Sequence, residues 1–177
     1  VKYFAYGSNL LPERLLRRVP STRPLTTATV AGYALRFHKV GADMSGKCDA
    51  FYTGHMEDIL FGALYEIAEA DKPVLDRIEG AGYGISHLEV HADGEAHSAY
   101  AYIAEAGHIQ PDVQPFDWYK AFVLHGAIHH GFPDSYIAAI DATTAVADPD
   151  RQRAAANRAI LHAALNRIPA PYGDPLP

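Results

Sequence analysis

Two stretches carry residue types and spacings suited to chemistry. The first is Tyr6-Gly7-Ser8-Asn9-Leu10. Residues 2–6 have the aromatic content of a strand, and residues 10–18 the spacing of a helix with Leu11, Leu15 and Arg18 on one face. Gly7, Ser8 and Asn9 between them are turn and cap residues. A strand that meets a helix through so tight a turn aims several backbone N–H groups in one direction. That suits a carboxylate, or an oxyanion developing during acyl transfer. The second stretch ends on Glu79. The spacing predicts a helix over 68–80, with Glu69, Asp71 and Pro73 at its start, Leu75 and Ile78 on its buried face and Gly80 as its stop. A carboxyl at that end meets the negative pole of the helix dipole, and Ile78 beside it points to partial burial. Both disfavour a fixed negative charge and suit a general acid/base. The plain alternative is a solvated charge at a helix end.

Other constellations are weaker. Ser8 follows Gly7, but Gly-x-Ser-x-Gly is absent, so a cap or turn hydroxyl is the better reading than a nucleophile. His125 and His129 are four apart on a predicted helix, with His130 next. Such a pair can bind zinc, yet Gly126 stands where His-Glu-x-x-His has its glutamate, and no third ligand is evident. No metal is therefore expected. Gly80, Gly82 and Gly84 follow a helix rather than a strand, so they read as a flexible loop beside Glu79 and not as a phosphate loop. Cys48 lacks a motif and reads as an inert or surface thiol. Arg14, Arg17, Arg18 and Arg23 read as a solvated helix face, and the 11 tyrosines as packing.

The elements that must position these groups follow from periodicity. A strand is predicted over 26–39, with Val30, Tyr33, Leu35 and Phe37 inward and a bulge at Gly32. A mobile loop is predicted over 40–49 and a short strand over 50–57. Residues 59–67 form a near-continuous apolar run, the mark of a strand buried on both faces. Strands over 85–91 and 96–104 flank Asp93-Gly94, a hairpin signal. Residues 111–115 are a break. Helices follow over 116–129, 132–140 and 151–166, the last with Ala156, Ile160, Ala164 and Ile168 in register, and a Pro-rich tail over 169–177. Hairpins, not helical crossovers, join several strands. That predicts an α+β fold with a mixed or antiparallel sheet, curved into a small closed or nearly closed β-barrel flanked by short helices, with an added C-terminal helix. One domain is expected over 1–168.

Bulk properties narrow the setting. A length of 177 residues, 49% of them hydrophobic and 20% charged, fits one globular core. The net charge is −6 and the pI about 5.9, so nucleic acid is not an expected partner. A single cysteine makes no internal disulfide and fits a reducing compartment. No apolar run approaches the roughly 20 residues of a membrane span, and the chain enters a strand without the regions of a signal peptide. A soluble, cytoplasmic protein without membrane contact is expected.

Residues Tyr3-Phe4-Ala5-Tyr6-Gly7-Ser8-Asn9-Leu10 resemble the N-terminal signature of the gamma-glutamylcyclotransferase family. Gly62-Ala63-Leu64-Tyr65-Glu66-Ile67 resembles a strand of that family, and Leu75-Asp76-Arg77-Ile78-Glu79-Gly80 its second signature. Trp118-Tyr119 and Gly131-Phe132-Pro133-Asp134-Ser135-Tyr136 resemble its C-terminal segment, so the likeness runs in order over about residues 2–140. The resemblance implies a cofactor-free enzyme acting on a small γ-glutamyl compound. The free α-amine attacks its own side-chain carbonyl and releases 5-oxoproline with an amino acid or amine. It implies Glu79 as the catalytic general acid/base, Tyr6, Gly7, Ser8, Asn9 and Leu10 as the substrate-binding turn, and a hydroxyl contact from Tyr119. Two departures stand out. The family often has a tyrosine just after the Glu-Gly loop, where this chain has Ser86 nearby and Tyr83 earlier. The helix over 151–166 and the tail have no counterpart, and covering the barrel, contacting a second copy in a homodimer and restricting the substrate are all open to them. Two other functions remain: a cyclotransferase that removes a γ-glutamyl protecting group in biosynthesis, and a non-catalytic module that binds carboxylate or γ-glutamyl compounds.

Overall fold

The computed structural model describes residues 1–166. Its strands are β1 (Lys2–Ala5), β2 (Arg23–Ala31), β3 (Tyr33–Val40), β4 (Gly46–Tyr52), β5 (Ile59–Glu66), β6 (Tyr83–Ala92) and β7 (Glu95–Ala104). Its helices are α1 (Pro12–Arg18), α2 (Lys72–Glu79), α3 (Asp117–His129), α4 (Asp134–Asp141) and α5 (Arg151–Leu165). Five strands close a barrel in the order β1-β5-β2-β6-β7. Every pairing is antiparallel except the closing one, a parallel contact of β1 with β7 at Tyr3 and Tyr100. The expected α+β architecture, a closed mixed barrel with short helices around it, is what forms.

The run over 59–67 becomes β5, which pairs with β1 on one side and β2 on the other, and its residues from Gly62 to Tyr65 are buried. Burial on both faces explains why the run lacks alternation. The hairpin between β6 and β7 turns on Asp93 (φ 52°) and Gly94 (φ 82°), both left-handed, as a two-residue turn requires.

Three expectations need correction. The strand over 26–39 is two strands. Gly32 adopts φ 80°, donates its N–H to the Asp58 carbonyl at 2.8 Å, and turns the chain out of the barrel. β2 stays in the barrel, while β3 forms a separate two-stranded sheet with β4. Apolar residues continue on both sides of the glycine, so the sequence pattern did not reveal the break. Nor is 40–49 a mobile loop: a turn over 41–45 leads into β4, which runs to Tyr52 rather than 57. Its outer end is pinned where Gly46 N–H donates to the Gln114 carbonyl at 2.8 Å. β6 starts at Tyr83, two residues before the predicted strand.

α5 is tied down by charge. Asp148 is buried and accepts Trp118 Nε1 of α3 at 2.8 Å, Arg153 Nε at 2.7 Å and Arg153 Nη2 at 2.6 Å. The Arg153 guanidinium holds its carboxyl well below the usual range, against burial and with help from Trp118. A depressed folded-state pKa stabilises the fold above the ordinary value of 3.8 and is lost as pH falls below it. Asp148→Asn is therefore expected to lower Tm by several degrees at pH 7, at about 2–4 °C per kcal/mol for a chain of this size. The gap from the native protein should begin to narrow as pH drops below 3.8 and close only toward the much lower folded-state value; thermal melts from pH 7 to 2 check this. Ile168 and the tail over 169–177 lie outside the described residues. Among the described residues no helix is long and apolar enough to cross a membrane.

Candidate active site

β1 ends at Ala5 and the chain turns through a single 3₁₀ turn, Ser8–Leu10, closed by Leu10 N–H to the Gly7 carbonyl at 2.9 Å. The first N–H groups of such a turn have no partner within it. α1 begins only at Pro12, later than the predicted start at Leu10. α3 lies against the turn, and Gly126 permits the approach: a Cβ there would sit 2.5 Å from Leu10 Cβ and 2.9 Å from the Leu11 nitrogen. The residue that disqualified a zinc motif is thus a packing glycine. His130 Nε2 and the Tyr65 hydroxyl hold the Leu10 carbonyl, at 2.8 and 3.2 Å. Burial pushes the His130 imidazole below its usual pKa, which keeps it a neutral donor.

α2 delivers Glu79 at its last position, with Gly80 ending the helix at φ 72°. The carboxylate meets the turn directly: Asn9 Nδ2 donates to Glu79 Oε1 at 2.9 Å and to the Tyr3 hydroxyl at 3.0 Å. Arg18 Nη1 donates to the same Oε1 at 3.0 Å and to Asn9 Oδ1 at 2.9 Å. The helix-end dipole is therefore not the only field on Glu79. A guanidinium of opposite sign stands beside it, with both side chains about one-fifth exposed.

Turn and carboxylate share a small pocket walled by Tyr6, Gly7, Ser8, Asn9, Glu79 and Tyr119 together with Tyr3, Cys48, Tyr83 and Tyr102. Six of the seven residues singled out from the sequence meet there. Leu10 does not: it is fully buried against α3, and its part is to fix the turn. Tyr119 sits near the start of α3 and its hydroxyl accepts the Cys48 N–H at 3.0 Å. Burial raises the pKa of Tyr3, Tyr6, Tyr83 and Tyr119 well above the usual phenol value. These walls stay neutral at pH 7, and Glu79 is the acidic side chain among the lining residues.

The comparisons with known proteins bear on this geometry. The AIG2-like family matches residues 59–140, just under half the chain. The gamma-glutamylcyclotransferase of Mus musculus is 27% identical over 141 residues, 76% of this chain and 73% of that protein. A solved structure described as a gamma-glutamyl cyclotransferase superposes with a TM-score of 0.76 at 21% identity, over 89% of this chain and 98% of the other. An uncharacterized protein from Homo sapiens does so with the same TM-score at 23% identity, over 89% and 97%. The chain is similar in sequence to a gamma-glutamylcyclotransferase and shares the fold of one.

Several residues around the pocket differ from their sequence reading. Tyr83, not Ser86, reaches the pocket, and its hydroxyl donates to the Cys48 carbonyl at 2.5 Å. Cys48 is no surface thiol. It is buried against Gly7, and burial pushes its thiol far above the usual range, so it is inert. Arg14 and Arg18 are not a solvated face: Arg14 is buried, and Arg18 pairs with Glu79 from 61 residues away. Tyr3 and Tyr102 also line the pocket, from β1 and β7, which meet at the Tyr3–Tyr100 pairing that the sequence alone does not reveal. Among the described residues, no three His, Cys, Asp or Glu side chains group as a metal site.

Proposed function

We propose that the protein is a gamma-glutamylcyclotransferase that releases 5-oxoproline from a small γ-glutamyl compound. The observation that carries the reading is the 2.9 Å hydrogen bond from Asn9, in the anion-ready turn, to Glu79, at the helix end, inside one pocket. The reaction joins two parts of one molecule, and well-oriented intramolecular attack reaches effective molarities of roughly 10⁵–10⁸ M. The protein has three tasks: to free the α-amine of a proton, to stabilise the tetrahedral oxyanion and to protonate the departing nitrogen.

Both hydrogen bonds to the Glu79 carboxylate end on Oε1. Oε2 is therefore the oxygen assigned to the proton. It takes a proton from the α-ammonium, and the α-nitrogen then bonds to the side-chain carbonyl carbon. In the tetrahedral intermediate the same nitrogen gives up its second proton, and the carbon–nitrogen bond to the leaving amine breaks. That amine departs with both protons, so no net proton is consumed. Backbone N–H groups of the Ser8–Leu10 turn are assigned to the substrate's carboxylate and to the oxyanion, and the Tyr119 hydroxyl to a further substrate contact. These steps use no cofactor.

A panel of γ-glutamyl amino acids and amines, followed for 5-oxoproline, tests the reading. Release from at least one member is expected. Binding of the panel without release would instead support a non-catalytic module, a reading that leaves the placement of Glu79 beside the turn without a purpose.

A further inference from the structure

The pocket opens outward, through Ser8, Glu79, Tyr83 and Tyr119, into a larger groove. Its charge is at odds with the rest of the chain. Lys and Arg number 15 in the whole sequence against 21 Asp and Glu, yet five of those cations line this one groove. Among the described residues, only two acidic side chains, Asp43 and Glu79, line it with them.

Two of the five are matched locally, Arg18 with Glu79 at 3.0 Å and Lys47 with Asp43 at 2.8 Å. Arg77 is exposed and needs no partner. Arg14 and Lys39 differ: both are buried, at 8% and 3% exposure, and neither has a carboxylate within salt-bridge distance among the described residues. Lys39 Nζ donates to the Ala81 carbonyl at 2.9 Å and lies 4.5 Å from the Tyr83 ring centre. Arg14 stacks on Phe122 at 4.1 Å, and its Nη1 reaches Asn157 Oδ1 of α5 at 3.3 Å. Its Nε is buried with no hydrogen-bond partner among the described residues. Burial, then the like charge of Arg18, lowers its pKa to about 9, which leaves it charged at neutral pH. Buried charges are ordinarily paired, because an uncompensated one is costly. Two such cations lining one groove beside a catalytic carboxylate are arranged for anions that arrive with a ligand.

We infer that Arg14 and Lys39 form a subsite for a leaving group with two negative charges, so that the preferred substrate is a γ-glutamyl compound of an acidic amino acid. This rests on the cyclotransferase reading of the pocket. The γ-glutamyl half occupies the turn and Glu79, and the leaving half extends along the groove with its two carboxylates toward the two buried cations. α5 thereby takes part in specificity: it carries Asn157 beyond the family-matched residues and orients the Arg14 guanidinium.

The test compares γ-glutamylglutamate with γ-glutamylglutamine, which have almost the same shape and differ by one charge, with γ-glutamylalanine as reference. The native protein should show kcat/KM for the glutamate compound about tenfold or more above the glutamine compound, the scale of a charge-assisted contact. Arg14→Met keeps the stem over Phe122 and should bring the ratio near one while turning over γ-glutamylalanine. Arg14→Lys should restore part of the preference. Lys39→Met tests the second cation even if Arg14→Met does not fold. Equal rates on the two isosteres by the native protein would overturn the inference while leaving cyclotransferase activity intact. Should no compound yield 5-oxoproline, the functional reading falls and the subsite is judged separately, by titrating inorganic phosphate at constant ionic strength. A saturable rise in Tm that Arg14→Met or Lys39→Met abolishes supports the subsite, and the same response in native and variant proteins overturns it.

Discussion

Glu79→Gln is expected to cut 5-oxoproline release by about 10² to 10⁴-fold, the range for removing one general acid/base. Glutamine keeps the shape of the side chain and an oxygen that accepts from Asn9 Nδ2, now 2.9 Å from Glu79 Oε1. What it removes is the oxygen that, in the proposed mechanism, takes and returns protons. It also removes the charge paired with Arg18, but that pair is partly open to water, so solvent already screens it and the fold should hold. Loss in kcat with little change in KM marks a transition-state role. Steady-state assays with matched circular dichroism spectra make the comparison; turnover within twofold of native would remove Glu79 from the chemistry.

A larger structural effect is expected one layer behind the pocket, from Gly126→Ala. In an isolated helix this change would add about 1 kcal/mol of stability. Here the new methyl carbon would lie 2.5 Å from Leu10 Cβ, 2.9 Å from the Leu10 carbonyl carbon and 2.9 Å from the Leu11 nitrogen. Two of those atoms are backbone and cannot rotate aside, so α3 and the turn must separate. Overpacking of this kind costs about 1–3 kcal/mol. The displaced segment carries the Leu10 carbonyl held by His130 and Tyr65, and Asn9 precedes it on the turn. A displacement of about 1 Å in positioning groups can cost roughly 10²-fold in rate. Gly126→Ala should therefore lower both urea stability and turnover, although no atom of Gly126 lines the pocket. Unchanged denaturation curves would show that the helix and turn are less tightly coupled than the packing indicates.

What could be read from the sequence was mostly local. Helix stop, preceding glutamate and hairpin turn are each written in adjacent residues, so the end of α2 at Glu79 and the turn at Asp93-Gly94 fall where expected. β5 was visible because burial on both faces leaves a continuous apolar run. The failures are nonlocal. Arg18 looks like a surface residue until the chain brings Glu79 to it across 61 positions, and Arg14 meets Asn157 across 143. Gly32 resembled a bulge because nothing in one strand's pattern says that the next residues leave the barrel for a separate pair. Tyr83 replaces Ser86 at the pocket because β6 starts before its first strongly strand-like residue. Six of the residues that carry the family resemblance meet in one cavity; their roles rest on the chemistry proposed above.

The most direct measurement is the identity of the products formed from a γ-glutamyl dipeptide. If the α-amine is the nucleophile, the native protein should yield 5-oxoproline and the free amino acid in equal amounts with no glutamate, and Glu79→Gln should yield almost none. Glutamate in place of 5-oxoproline would mean that water attacks instead, and would contradict the account.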